Sequence, residues 1–385
     1  MNVQARVRLL PSLVAFVLVA AVVPAVVRAQ DARGALANFP ESQAVLYINA
    51  RRLINEAAPA VVPPEVLGKA LADAKQFIDL NGLEYVIAGA RLKGDLSAKQ
   101  MPEFLLVVRG NFSSEAMLSG ARMLAQGMYT QETVGARTIS VFTFNKPAPA
   151  SDGQSGAGSD GGGQNSKRFP VDQIAAVALD ANTIAVGIPA YLKDAIDTGG
   201  TSPRLKPALV DLAVRDADTL VSLVADVPPG ISKHIRALGA PANAEAEQML
   251  DAVRQVQLAV NMQPSTFGVQ SIIRMENSEK AMALSGLVNM GLGFIKGELT
   301  KELQKANAPD REDKLALMRL LETFTNASRD NEVELGLTFQ QASLAAVIKR
   351  QMTPKPKKQE SISPAPGTNR GTTGTRRRGT RPRKR

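Results

Sequence analysis

A chain with one histidine and no cysteine has few routes to acid–base or covalent catalysis. The histidine, His234, stands in Ile231-Ser-Lys-His-Ile-Arg between Lys233 and Arg236, and reads as a solvated position on a surface helix. One His without Cys excludes the common multi-His metal sites, the Cys–His pair and disulfides. A Ser–His–Asp triad is formally possible through His234, but the chain has no Gly-x-Ser-x-Gly nucleophile elbow. The nearest match, Gly153-Gln-Ser155-Gly-Ala157, lies in a low-complexity stretch. The same stretch holds Gly156-Ala-Gly158-Ser-Asp-Gly161. That spacing binds dinucleotides only between a strand and a helix, and here both flanks are low-complexity. Asp152 and Asp160 beside it fit no calcium loop, and there is no phosphate-binding Walker motif. Carboxylates pair at Asp216/Asp218, Glu312/Asp313 and Glu332/Glu334. The last pair shares one strand face and is expected to be solvated. The sequence thus assigns no catalytic, cofactor-binding or metal-binding residue, and the protein reads as a non-enzyme.

Two arginines recur in matching contexts. Glu103–Gly120, EFLLVVRGNFSSEAMLSG, reads as a strand ending at Arg109-Gly110 and turning into a helix capped by Ser113 or Ser114. Thr266–Gly286, TFGVQSIIRMENSEKAMALSG, repeats the plan with Arg274 and a Ser278 cap. Two such arginines beside helix N-termini could hold an anion, although capping and solvation is the expected role. The second helix contains Gly286, Gly291, Gly293 and Gly297, which close packing or a kink near Gly291 would explain.

Charge gives the clearest functional signal. The net charge is +10, yet residues 30–351 hold 32 bases and 35 acids. The excess sits at the ends. Residues 352–385 carry eleven Lys or Arg against one acid, Glu360. This tail is rich in Pro, Gly and Thr and should be disordered. Arg376, Arg377, Arg378, Arg381, Arg383, Lys384 and Arg385 form a polyanion-binding cluster that acts by counterion release. No aromatic interleaves them, so base stacking is not indicated.

The elements that carry these residues alternate in type. Strands are expected at Gln43–Ala50, Leu83–Leu92, Glu103–Gly110, Thr138–Phe144, Val171–Leu179 and Thr183–Ile188. In the second half they fall at Thr219–Val227, Gln255–Met262, Phe267–Met275 and Glu332–Phe339. A helix from Pro309 is expected to end near Ala327. Gln255, Gln257 and Asn261 make the wet face of a half-buried strand, which argues for antiparallel pairing. The order in both halves is strand-helix-strand-strand-helix-strand-helix. The fold class is therefore α+β, a tandem duplication with antiparallel sheets and helices on one face. Residues 30–203 form the first repeat, with a disordered loop at 146–168. Residues 204–351 form the second repeat, and 352–385 the basic tail.

The N-terminus reads as an export signal over residues 1–29: Arg6 and Arg8, an eleven-residue apolar run Leu13–Val23, then Val27-Arg28-Ala29 as a cleavage site. The alternative is an uncleaved anchor, for which the run is short. The opening Phe39-Pro40-Glu41-Ser42-Gln43-Ala44-Val45-Leu46-Tyr47-Ile48-Asn49 resembles the entry of exported bacterial proteins of unknown function, which begin with a Pro, a polar step and a strand of the Leu-Tyr-Ile kind. The likeness covers Asn38 to Thr198 and lends no catalytic residue. The expectation is a periplasmic or extracellular binding or envelope-associated protein without cofactors. Its basic tail would meet an anionic surface or polymer: lipid, lipopolysaccharide, cell-wall polymer or extracellular DNA. A protein–protein scaffold acting through the wet sheet face is the alternative, and a secreted hydrolase a weaker one. The sequence indicates no small-molecule substrate.

Overall fold

The computed structural model describes residues 29–75, 80–92, 102–144, 172–196, 203–216, 218–237, 244–305 and 308–352. Helix α1 (Ala29–Ala37) leads into β1 (Ala44–Ile48). Asn49 then caps a helical run by accepting from the Arg52 amide (3.1 Å). This run, α2, comprises Ala50–Arg52, a π-helical turn Leu53–Ala57, and Ala58–Val61. Pro63 ends it, and Pro64 opens α3 (Pro64–Ala74), where its missing amide costs nothing. Strands β2 (Leu83–Arg91) and β3 (Glu103–Gly110) form the expected hairpin. After β3 come α4 (Ser114–Leu124), β4 (Tyr129–Val134), β5 (Arg137–Thr143), β6 (Gln173–Asp180), β7 (Thr183–Gly187) and α5 (Pro189–Ile196). The second half runs α6 (Pro207–Ala213), β8 (Thr219–Asp226), α7 (Ile231–Ala237), α8 (Ala244–Asp251), β9 (Val253–Met262) and β10 (Thr266–Met275). It continues with α9 (Ser278–Lys305), α10 (Ala308–Glu322), β11 (Thr325–Arg329), β12 (Glu332–Gln340) and α11 (Gln341–Met352).

All twelve strands among the described residues join one antiparallel sheet in the order β11-β12-β10-β9-β8-β1-β2-β3-β7-β6-β5-β4. The order reads alike from both sides of the β1–β8 seam: β1-β2-β3-β7-β6 and β8-β9-β10-β12-β11. The first repeat adds the hairpin β4–β5 at its outer edge. Register makes the match residue by residue. From Leu46 the pairing runs through Ala88, Leu106, Val186 and Ala176. From its seam partner Leu223 it runs through Leu258, Ser271, Leu335 and Asn326. Leu106 and Ser271 are therefore equivalent, and so are Arg109 and Arg274, each three residues further on. The protein is α+β, as the alternating patterns imply, but the two expected sheets are a single one.

Helices lie on both of its faces. One face buries Val45, Ile87, Leu105, Ala175 and Val224 against Leu36 of α1, Tyr191 and Leu192 of α5, and Leu209 and Leu212 of α6. Each of these large side chains contributes about 1.5–3 kcal/mol by leaving water. The opposite face packs Ile48, Leu220 and Phe267 against α2 and α11, and Ile273, Val333 and Leu335 against α9. Gly89 allows the first layer to close: a Cβ there would lie 2.3 Å from the Phe39 ring.

Three expectations fail for local reasons. Tyr129–Val134 and Thr325–Arg329 are strands where none, and the end of a helix, were expected. They are the two edge strands of the sheet, and neither has a fully buried residue. The α9 cap is Asn277, not Ser278: its Oδ1 accepts from the Lys280 amide (2.9 Å). Ser113 does cap α4, accepting from Ala116 N (3.2 Å). The four α9 glycines face open space, where an added Cβ would meet no atom within 4 Å, so close packing does not explain them. The loop 146–168 lies outside the described residues, as do the sequence motifs within it. It connects β5 and β6, which pair as a hairpin.

Candidate functional site

Tyr85, Arg109 and Thr183 stand side by side on β2, β3 and β7, because register pairs Tyr85 with Arg109 and Arg109 with Thr183. Their side chains share the face covered by α1 and α5. Between sheet and helices lies a cavity of about 580 Å³, within the usual size of a small-molecule site. Ala35, Phe39, Ile87, Val107, Leu179 and Ile196 form its apolar wall. Its polar end holds Tyr85, Arg109, Arg137, Asp180 and Thr183.

The polar groups there are unevenly satisfied. Arg109 donates from Nε to Glu84 (3.1 Å), while Asp180 stands 3.6 Å from a terminal nitrogen, beyond hydrogen-bond length. Arg137 donates to the Ala178 carbonyl (2.9 Å) and to that of Leu179. Burial pushes the Tyr85 phenol above its ordinary pKa, and the neighbouring Arg109 guanidinium offsets only part of that rise. Thr183 is 4% exposed, and its hydroxyl has no hydrogen-bond partner. Such a group costs about 1–3 kcal/mol when left so.

The second repeat resolves the same position differently. Register pairs Gln255 with Arg274 and Arg274 with Glu332. Arg274 donates to Glu332 (2.7 Å) and to Gln255 (3.0 Å). Arg215 then bridges Glu332 (2.7 Å) and Glu334 (2.8 Å). Burial works against the Glu332 charge, but hydrogen bonds from Arg215 and Arg274 outweigh it and hold its carboxyl below the ordinary range. The Glu332/Glu334 pair is therefore an ion-pair network and not a solvated face. Neither arginine caps a helix; both are held in the sheet by side chains on adjacent strands.

The wet face of β9 is also taken up internally. Gln257 is 1% exposed and donates to the Leu212 carbonyl under α6 (2.5 Å). Gln255 donates to Asp226 (2.8 Å), and Asn261 lies against Thr219 (3.1 Å). Polarity here marks hydrogen bonding to α6 and to neighbouring strands, so alternation alone misassigned the solvent side. Asp216 and Asp218 separate, Asp218 approaching Arg52 (3.7 Å) and Asp216 approaching Asn261 (3.4 Å). His234 falls on α7, with its side chain outside the described residues.

Exposed apolar side chains gather on α9: Met282, Leu287, Met290, Phe294 and Ile295. That helix has 28 residues but buries only Ala281 and Leu299. Among the described residues no helix is long and apolar enough to cross a membrane. The cluster Arg376, Arg377, Arg378, Arg381, Arg383, Lys384 and Arg385 lies outside the described residues. The cavity was invisible in the sequence. Tyr85, Arg109 and Thr183 lie far apart in the chain, and only strand register brings them together.

No family model matches the chain, and no curated protein matches it. Among solved structures, crystal form III of TP0453 is similar with a TM-score of 0.37 and 11% identity, over 82% of this chain and 97% of that one. Crystal form IV gives 0.38 and 11%, over 81% and 95%. A likeness this distant carries no inference about the protein's role.

Proposed function

We propose that the protein is an exported, non-enzymatic binding component of the cell envelope, held to an anionic surface or polymer by its C-terminal tail. The observation that carries this reading is the segregation of charge. Residues 352–385 hold eleven bases and one acid, while residues 30–351 hold 32 bases and 35 acids. A body so balanced has little long-range attraction for a polyanion, and the tail concentrates it. A chain starting at Gln30 would keep Ala32 and Leu36, which are buried in the core. The scaffold alternative through Gln255, Gln257 and Asn261 finds less support, because those side chains are bonded within the molecule.

The test is co-sedimentation with anionic vesicles and retention on DNA, for the chain with and without residues 352–385. Tethering predicts salt-sensitive binding that disappears with the tail. Equal binding by the truncated chain would move the contact to the body and defeat the proposal.

A further inference from the structure

The two repeats serve as controls for one another, and they differ where a ligand would sit. At matching places one holds Tyr85–Arg109–Thr183 and the other Gln255–Arg274–Glu332. In the second repeat the arginine receives its carboxylate from within the chain, Glu332 at 2.7 Å. In the first, Arg109 takes its carboxylate from Glu84 on the other neighbouring strand, a threonine with an unpartnered hydroxyl stands where Glu332 would, and a cavity of about 580 Å³ opens beside it. We propose that this cavity binds a small monocarboxylate with an apolar body, its carboxylate taking the place that Glu332 fills in the other repeat.

The lining fits that chemistry. Thr183 lines the cavity and brings a buried hydroxyl that has no partner within the chain. Arg109 uses Nε on Glu84, one terminal nitrogen faces Asp180 at 3.6 Å and Tyr85 shares a hydrogen bond with it, so only part of its five-donor fork remains for the ligand. Arg137 adds a second cation at the same end, against the single lining carboxylate of Asp180. The rest of the wall, from Phe39 to Ile196, is mainly hydrocarbon, with Asn38 its one polar side chain. An apolar compartment with a few convergent donors at one end selects an amphiphile by its head group. This inference goes beyond the tethering reading and does not depend on it.

Isothermal titration of the purified chain with decanoate and with decanol tests it. Decanoate is expected to bind with one site per chain, at least tenfold tighter than decanol, since the alcohol brings no charge to Arg109 and Arg137. Thr183→Val removes the hydroxyl at nearly constant volume and is expected to weaken decanoate about tenfold without loss of folding. Thr183→Glu copies the second repeat and should abolish decanoate binding, with circular dichroism reporting whether the chain stays folded. Equal affinity for acid and alcohol, no binding of either, or unchanged affinity in folded Thr183→Val would each overturn the proposal. Vesicle binding by the same variants should be unchanged, so failure here and failure of the tail to tether are read separately.

Discussion

Replacing Glu332 by Gln removes the charge that Arg274 and Arg215 share while keeping the side chain's shape. Both contacts are 2.7 Å long and charge-assisted. The Glu332 side chain is 17% exposed, against 26% for Arg274 and 35% for Arg215. A hydrogen bond to a charged group contributes about 1.5–3 kcal/mol, and partial exposure reduces the sum of two. The expected loss is about 2–3 kcal/mol near neutral pH. The sign with pH follows from the depressed carboxyl of Glu332. Its contribution is complete above the unfolded pKa of about 4.3 and is lost as pH falls through the lower folded value. Urea titrations of wild type and Glu332→Gln should therefore differ near neutrality and converge in acid. Glu84→Gln, at the equivalent but more exposed arginine, should cost less than about 1 kcal/mol. A difference for Glu332→Gln that persists in acid, or none at neutrality, would refute the network as a source of stability.

Other predictions follow from single features. Gly291→Ala with Gly293→Ala should stabilise α9 by about 1 kcal/mol per site, measured by thermal unfolding, because both face open space. Tyr191 is fully buried, sits against Ser42 and donates to the Glu41 carbonyl (3.1 Å), so Tyr191→Phe should cost about 1–2 kcal/mol in urea. Burial raises the Tyr191 phenol to about 12, so its contribution is complete below the ordinary value of 10.0 and fades as pH rises through 12. Wild type should then lose its advantage over Tyr191→Phe in strong alkali. Leu36→Ala should cost about 2–5 kcal/mol by emptying the contact of α1 with the core. The export reading predicts that N-terminal sequencing of the mature chain begins at Gln30.

Much of this architecture was legible because repeats leave local echoes. The strand–Arg–cap–helix pattern at Arg109 and Arg274 marked equivalent positions that register then matched. Strict alternation located β9, but assigned its polar side to water. The side chain of Gln257 is instead buried by α6, an element that lies well before it in the chain. β4 and β11 gave no signal because edge strands need bury neither face and so carry no apolar period. Glu332 and Glu334 looked solvated because their partners, Arg274 and Arg215, sit on β10 and in the β8 approach. The cavity depends on three strands meeting in register and on helices α1 and α5 closing over them. No single stretch of sequence contains it.

The most direct test of tail-borne tethering is the salt dependence of binding to a short DNA duplex, comparing the chain with a form in which Arg376, Arg377, Arg378, Arg381, Arg383, Lys384 and Arg385 are all Gln. Each neutralised phosphate contributes about −0.9 to the slope of log affinity against log salt. Tethering predicts a steep negative slope for the native chain and a clearly shallower one, at much weaker affinity, for the substituted form, which keeps four of the eleven tail bases. Matching slopes in the two forms would contradict it and place the anionic contact on the folded body.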